Sequence, residues 1–319
     1  MNEFTLIERL THGVPTNAAV VVGPGDDCAV LDFGFADRWL LLKTDAVVEG
    51  IHYSEATPPE RVGHKALARC LSDIAAMAGT PVAALVTLAL PPHFDPGYLS
   101  DVYAGINALA RRHAVAVVGG ETTTNPDRTL ISVCLVGTAL KDKCPLRSAA
   151  RPGDAVFVTG ELGGSLAGRH LEFEPRLVEA RWLVERFSIH AMIDLSDGLA
   201  SDLRQVLEAS RVGAELLASA IPISPAAKRA ARGANSAKAP LTAALTEGED
   251  FELLFTLPSR DAVPLADAWK QQHPALKLSC IGRITAEPGM NLRTREGLRP
   301  VTEHGYIHFE KSRSHHRAG

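Results

Sequence analysis

Carboxylates recur at the ends of apolar segments in this chain of 319 residues. Asp26 and Asp27 lead into "CAVL", Asp45 closes "LLLKT", and Asp73 sits inside "CLSDIAAM". Glu121 follows "AVVGG", Asp194 and Asp197 follow "AMI", and Glu249 and Asp250 precede "FELLF". An acid flanked by apolar residues must reach solvent or meet a cation, because an unpaired buried charge is very costly. A set of such acids points to oxygen ligands converging on hard ions, and Mg2+ shared with substrate phosphates is the natural guest. Each member also has a plainer reading. "GPGDD" reads as a solvated turn, Asp73 and Asp194 as helix caps, Thr44 as an ordinary strand residue, and "TEGED" as a charged turn. The weight lies in the combination.

Mg2+ held by several carboxylates serves phosphoryl chemistry by bridging and neutralising phosphate oxygens. The familiar nucleotide motifs are missing: there is no GxxxxGK[ST], HRD or DFG, which excludes a P-loop and a protein-kinase fold. The Gly-rich "TGELGGSLAG" offers two readings, amides that cradle phosphate or glycines needed for tight packing. It lacks the GxGxxG spacing.

The elements that must carry these acids alternate between strand and helix. "RWLLLKTDAVV", "VAALVTLALP", "VAVVGGE" and "RTLISVCLVGTAL" read as strands, rich in β-branched and apolar residues. "PERVGHKALARCLSDIAAMAG" has helical periodicity, with Val62, Ala66, Cys70 and Ile74 on one face, and "PGYLSDVYAGINALARRHA" is a second helix. "RSAARPGDAVFVTGELGG" marks a boundary, dividing the chain at 1–145 and 146–319. The second half restarts with strand "DAVFVTG", a Gly-rich turn and a helix from Ser165. "AMIDLSDGLASDLRQVLEAS" passes from strand to helix, "IPISPAAKRAARGANSAKAP" reads as an exposed helix with loops, and "FELLFTLP" and "LKLSCIGRIT" are late strands.

Composition sets the outer limits. Hydrophobic and charged shares of 46% and 22% are those of an ordinary globular protein, and a net charge of −4 argues against a general nucleic-acid binder. No run approaches the roughly 20 apolar residues that cross a bilayer, and "MNEFTLIERL" does not read as a signal peptide. Five scattered cysteines without a CxxC pair fit reduced thiols in a cytoplasmic protein. The only basic cluster is the His-containing tail "EKSRSHHRAG", read as a frayed end.

Taken in order, "GPGDDCAVL", "KTDAVVEGIHY", "CLSDIAAMAGTP", "VVGGETT", "LRSAARPGD", "IDLSDGLASDL", "EGEDFELLFT" and "HGYIHF" resemble the thiamine-monophosphate kinase family over nearly the whole chain. That family belongs to the aminoimidazole-ribonucleotide synthetase superfamily. The resemblance implies an N-terminal α+β domain that binds ATP and Mg2+ and dimerises through its sheet, and a C-terminal α/β domain. It implies transfer of the γ-phosphoryl group of ATP directly to the phosphate of thiamine monophosphate, giving thiamine diphosphate and ADP with no covalent phosphoenzyme. Position by position it implies several Mg2+ ions on Asp27, Thr44, Asp45, Asp73, Glu121, Asp194 and Asp197, with Lys43 beside them. It places ATP on Gly120, Glu121, Arg147 and Ser196, and thiamine monophosphate on His52, Glu249 and Tyr306. Tyr103 is a candidate to stack on adenine, its alternative being a core residue.

Three departures from the family pattern stand out. Glu121 replaces the usual Asp, Glu247 replaces the first Gly of Gly-Gly-Glu-Asp, and Tyr306-Ile307 fills the slot of an aromatic followed by Asp. The rivals are a superfamily member with another acceptor and a silent thiamine-phosphate or ATP binder. Selenophosphate synthetase wants a reactive Cys near a Gly-rich N-terminus, and hydrogenase-maturation carbamoyl dehydratases end in Cys, whereas this chain ends "HHRAG". Neighbouring residues of an extended chain point opposite ways. The resemblance puts Asp27 on the metal, so Asp26 is expected to turn away, accept backbone N–H groups and hold the Gly-Pro-Gly bend.

Overall fold

The computed structural model describes residues 3–233 and 238–306. The tail, its His pair and Ile307 lie outside the described residues. A first helix, α1 (Glu3–Thr11), precedes β1 (Val20–Val22), β2 (Ala29–Leu31) and β3 (Arg38–Val48). Then follow α2 (Pro59–Ala76), β4 (Thr80–Leu90), α3 (Pro96–Arg112), β5 (Ala116–Thr124) and β6 (Leu130–Leu140). The strands form one sheet ordered β1-β2-β3-β6-β4-β5, antiparallel except for the β4–β5 pair.

Alternation gives this sheet two unlike faces. Leu41, Val47, Val86, Leu88, Ile131 and Val133 are buried, together with Val62, Ala66, Cys70 and Ile74 of α2, the stripe expected from the periodicity. The opposite face leaves Leu42, Leu85 and Val118 exposed. Helices α2 and α3 touch through glycines. A Cβ at Gly63 would come within 1.9 Å of the Val102 carbonyl, and one at Gly105 within 1.9 Å of that of Glu60.

The second half begins with β7 (Asp154–Thr159), α4 (Leu177–Arg186), β8 (Met192–Asp194), α5 (Leu199–Ser210) and β9 (Gly213–Leu217). It continues through α6 (Pro225–Ala230), α7 (Pro240–Thr246), β10 (Leu253–Pro258) and α8 (Ala262–Gln272), and closes with β11 (Leu278–Thr285), β12 (Gly289–Thr294) and β13 (Gly297–Pro300). Its sheet is ordered β13-β12-β9-β11-β7-β10-β8, with β9–β12 the parallel pair. The helix expected from Ser165 is only a 3-10 turn, Ser165–Ala167. Gly168, at φ +133°, stops it, and the α-helix starts only at Leu177.

One apolar core runs across both halves, from Leu67 and Ile74 of α2 to Phe157, Trp182, Phe255 and Trp269. A second lies under α5 and includes Val158, Leu203 and Leu254. Helix α2 therefore belongs to both halves, and what it carries faces the seam between them. Among the described residues no helix is long and apolar enough to cross a membrane.

Candidate functional site

Three of the expected acids meet at that seam. Asp27, just ahead of β2, Asp73, in the last turn of α2, and Asp194, at the end of β8, each present a carboxylate oxygen within 4.8 Å of the other two. All three are buried. Asp73 is no N-cap, since α2 began fourteen residues earlier, and the N-cap of α5 is Gly198 rather than Asp194.

Cations and donors approach the group without neutralising it. Arg147 donates to Asp27 through Nη2 (2.6 Å) and Nε (3.3 Å). Lys43 Nζ lies 2.9 Å from Asp73 and 3.8 Å from Asp45. Ser72 Oγ donates to Asp194 at 2.6 Å. Burial nevertheless pushes the Asp194 carboxyl up to about 7, with Asp27 adding to the shift. Burial raises Asp73 well above the carboxylate range against the pull of Lys43, with Asp45, Asp194 and Asp27 adding to it. Lys43 is half-buried, yet against that desolvation Asp73 and Asp45 hold its ammonium well above the ordinary value. Three hard oxygen donors, no sulfur or imidazole among them, and an excess of negative charge suit a hard divalent cation.

The neighbouring aspartates take different partners. Asp26 accepts from the N–H of Asp27 (3.0 Å) and of Arg147 (3.1 Å), while Asp27 turns to the guanidinium and the cluster. Asp26 therefore ties the bend to the linker between the halves as well.

Thr44 and Glu121 lie elsewhere in this chain. Asp45 pairs with Val133, and Val133 with Val86, which puts Asp45 on the helix-covered face. Thr44 points to the opposite face, its hydroxyl 3.4 Å from that of Ser132. Glu121 pairs with Thr87, and Thr87 with Ser132, so it shares that face. Gly120 is held at φ +155°, and a Cβ there would come within 1.8 Å of the Val86 carbonyl. Tyr103 packs against the core.

A pocket beside the acids is lined by Ile51, His52, Arg69, Leu166, Ser196, Asp197, Gly248, Glu249 and Tyr306. It thus gathers all three residues expected to hold thiamine monophosphate, with Ser196 and Asp197. The loops are pinned locally: Glu249 N–H donates to Ser196 O (2.7 Å), Tyr306 N–H to Asp197 O (2.9 Å), and the N–H groups of Asp197 and Gly198 to Asp202 Oδ2. Glu249 stands at φ +61°, a backbone conformation few non-glycine residues adopt.

"TEGED" is not a solvated turn. Asp250 is buried, accepts from Gly163 N–H (2.8 Å) and pairs with Arg169 at 2.6 Å. Glu247 accepts from Gly164 N–H at 2.6 Å. The Gly163 and Gly164 amides are thus taken by the protein's own carboxylates and those of Gly160 and Leu162 by the carbonyls of Lys277 and Pro222, and a Cβ at Gly164 would come within 2.6 Å of the Ala227 nitrogen. Packing is the reason for these glycines, and the phosphate-cradle reading falls.

Lys65, Arg69 and Ser72 escaped the sequence reading. Their signal was the spacing: Lys65, Arg69 and Asp73 follow one another at intervals of four along α2, beside the apolar stripe. Polar residues at that interval within a buried helix mark a second packed face.

Comparison with known proteins finds relatives along nearly the whole chain. Residues 25–139 match the model of the AIR synthase related protein N-terminal domain, and 151–295 that of its C-terminal domain. The thiamine-monophosphate kinase of Rhodopirellula baltica is 39% identical over 300 residues, 91% of this chain and 92% of that one. The solved structure of AaThiL complexed with AMPPCP and TMP superposes with a TM-score of 0.81 at 30% identity, covering 97% of each chain. Hydrogenase maturation protein HypE of E. coli superposes with a TM-score of 0.70 over 93% of this chain and 96% of that one. At 18% identity that likeness concerns the fold alone.

Proposed function

This chain belongs to the thiamine-monophosphate kinase family, built from the two AIR synthase related domains, and from that premise we propose that it converts thiamine monophosphate and ATP to thiamine diphosphate and ADP. The observation that carries the reading is the buried trio Asp27, Asp73 and Asp194 beside the pocket of His52, Glu249 and Tyr306.

Bringing a phosphate monoester against ATP joins two strongly anionic groups, so positioning and charge neutralisation are the main tasks. Mg2+, when bound, would supply cationic charge that offsets this repulsion. Asp27, Asp73 and Asp194 would hold it, with Asp45 and Asp197 at the edge of the same seam. Arg147 orients Asp27 and presents a guanidinium suited to phosphate oxygens. Gly120 and Ser196 are proposed for ATP. In the pocket, the Glu249 carboxylate faces the cationic ring system of the acceptor while Tyr306, His52, Ile51 and Leu166 give it walls. A substrate phosphate is its own nucleophile, so the reaction asks no strong general base of the pocket.

We further infer several Mg2+ ions, a boundary between residues 145 and 146, a cytoplasmic setting, and a homodimer formed through the open face of the first sheet. Exposed Leu42, Leu85 and Val118 on that face support the dimer. Thr44 and Glu121 share the face, which fits a metal-binding role for them close to the two-fold interface.

The test is a product assay with ATP, Mg2+ and a panel of thiamine, thiamine monophosphate, selenide and aminoimidazole-pathway substrates. Thiamine diphosphate and ADP from thiamine monophosphate alone is the expected result. Product from another acceptor instead, or ATP binding with no ADP formed, would overturn the reading.

A further inference from the structure

Lys65 is wholly buried in the middle of α2. Its ammonium donates at 2.6 Å to Glu249 Oε2 and at 2.6 Å to the His52 carbonyl. His52 belongs to the first half of the chain and Glu249 to the second, and both line the same pocket. One nitrogen thus ties together the two sides of that pocket across the seam. Arg69, one turn further along α2, donates to Glu249 Oε1 at 3.3 Å.

Stability alone does not account for a lysine here. A buried ion pair gains little over well-packed apolar side chains of the same volume, because both charges must be desolvated. The segment Val62 to Ile74 already buries an apolar stripe, and a methionine would continue it. What the ammonium adds is geometry. Glu249 sits at φ +61° on a loop, and its carboxylate, 17% exposed, would otherwise rotate freely into the pocket. With Lys65 on Oε2 and Arg69 on Oε1 the plane of the carboxylate is set, and lone pairs remain on the pocket side.

We propose that Lys65 is the positioning residue of the acceptor pocket, fixing the Glu249 carboxylate relative to the His52 backbone so that the pair receives the cationic acceptor. Lys65 does not touch the acceptor; it acts through Glu249. The inference rests on thiamine monophosphate being the acceptor.

The experiment is steady-state kinetics on the full chain with saturating Mg2+, for the unaltered protein, Lys65→Met, Lys65→Gln, Glu249→Gln and the Lys65→Met/Glu249→Gln double variant. Lys65→Met should raise KM for thiamine monophosphate by about tenfold or more, the usual effect of leaving a buried charged acceptor short of its donor. KM for ATP should stay within about twofold, as expected when only one ligand's binding is lost. Lys65→Gln, which retains one donor, should fall between. The double variant should be no worse than the poorer single one, since both act through one contact. Equal rises in both KM values, additive effects in the double variant, or loss of folded protein in both Lys65 variants would overturn the proposal. The unaltered chain is assayed first. No thiamine diphosphate from it would overturn the functional reading, whereas turnover with an unmoved KM in Lys65→Met would overturn this inference alone.

Discussion

Two clusters of buried carboxylates, one within the second half of the chain and one at the seam between the halves, are built on opposite principles. In one, Glu252 accepts two bonds from Arg176 (2.8 and 2.7 Å) and one from Thr159 (2.7 Å), and Asp250 is met by Arg169 and by the Gly163 amide. In the other, Asp27, Asp73 and Asp194 crowd together with a guanidinium, an ammonium and a hydroxyl that leave negative charge in excess. The first cluster carries its own counter-charges and holds loops in place. On the function proposed above, a cation from solution would complete the second. A buried acid alone says little about function; the number of cations and donors around it separates scaffold from site.

The comparison breaks most visibly in turnover. Asp73→Asn or Asp45→Asn should lower kcat by about two to four orders of magnitude, the worth of several kcal/mol of charge stabilisation, with the circular-dichroism melt little changed. Near-normal kcat in both purified variants would end the metal assignment. Glu252→Gln should do the reverse. It strips Arg176 of its partner and should cost roughly 3 kcal/mol of stability in a denaturant titration, while the Mg2+ needed for half-maximal rate stays put.

A pH scan sharpens the contrast. Folding raises Asp194 to about 7 and Asp73 well upward, above the ordinary carboxylate value of about 4. The native state therefore holds protons that the unfolded chain releases. Their contribution to stability is complete below the unfolded value and is lost as pH rises through about 7. In chelator, Tm should fall by a few degrees between about pH 5.5 and pH 8. Mg2+ should restore Tm at the upper pH more than at the lower, because it takes the place of those protons. A flat Tm with Mg2+ acting equally at both ends would mean that the trio does not hold the ion.

The smallest effect belongs to the adjacent aspartates. Asp26→Asn should cost on the order of 1 kcal/mol in a melt and leave the Mg2+ dependence alone, whereas Asp27→Asn should shift the Mg2+ midpoint. Equal shifts in both would place both acids on the cation.

Local pattern made much of this legible. The apolar run of β3 and the four-residue stripe of α2 could be read because alternation and the helical period leave direct marks in the sequence. The acids were legible as a set because so many stand where apolar segments end. The partners of those acids were hidden. Lys65 meets Glu249 across 184 positions and Arg147 meets Asp27 across 120, and nothing local announces such pairings. The helix drawn from Ser165 failed at one residue, Gly168. Glu247, a visible departure from the family pattern, gained its meaning only when Gly164 was found donating to it. The opposite facings of Thr44 and Asp45, by contrast, follow from strand alternation alone.

Helix α2 carries Lys65, Arg69, Ser72 and Asp73 on one rigid rod, pressed against α3 at Gly63 and Gly105. Each residue of an α-helix advances the chain by about 1.5 Å and turns it by about 100°. A single insertion or deletion between Lys65 and Asp73 would therefore swing either the pocket clamp or the metal ligand out of the seam, and no movement of a neighbouring loop could bring it back. Between Lys65 and Asp73 every residue but Arg69 is buried, so this stretch has no outward side on which to absorb a change of length.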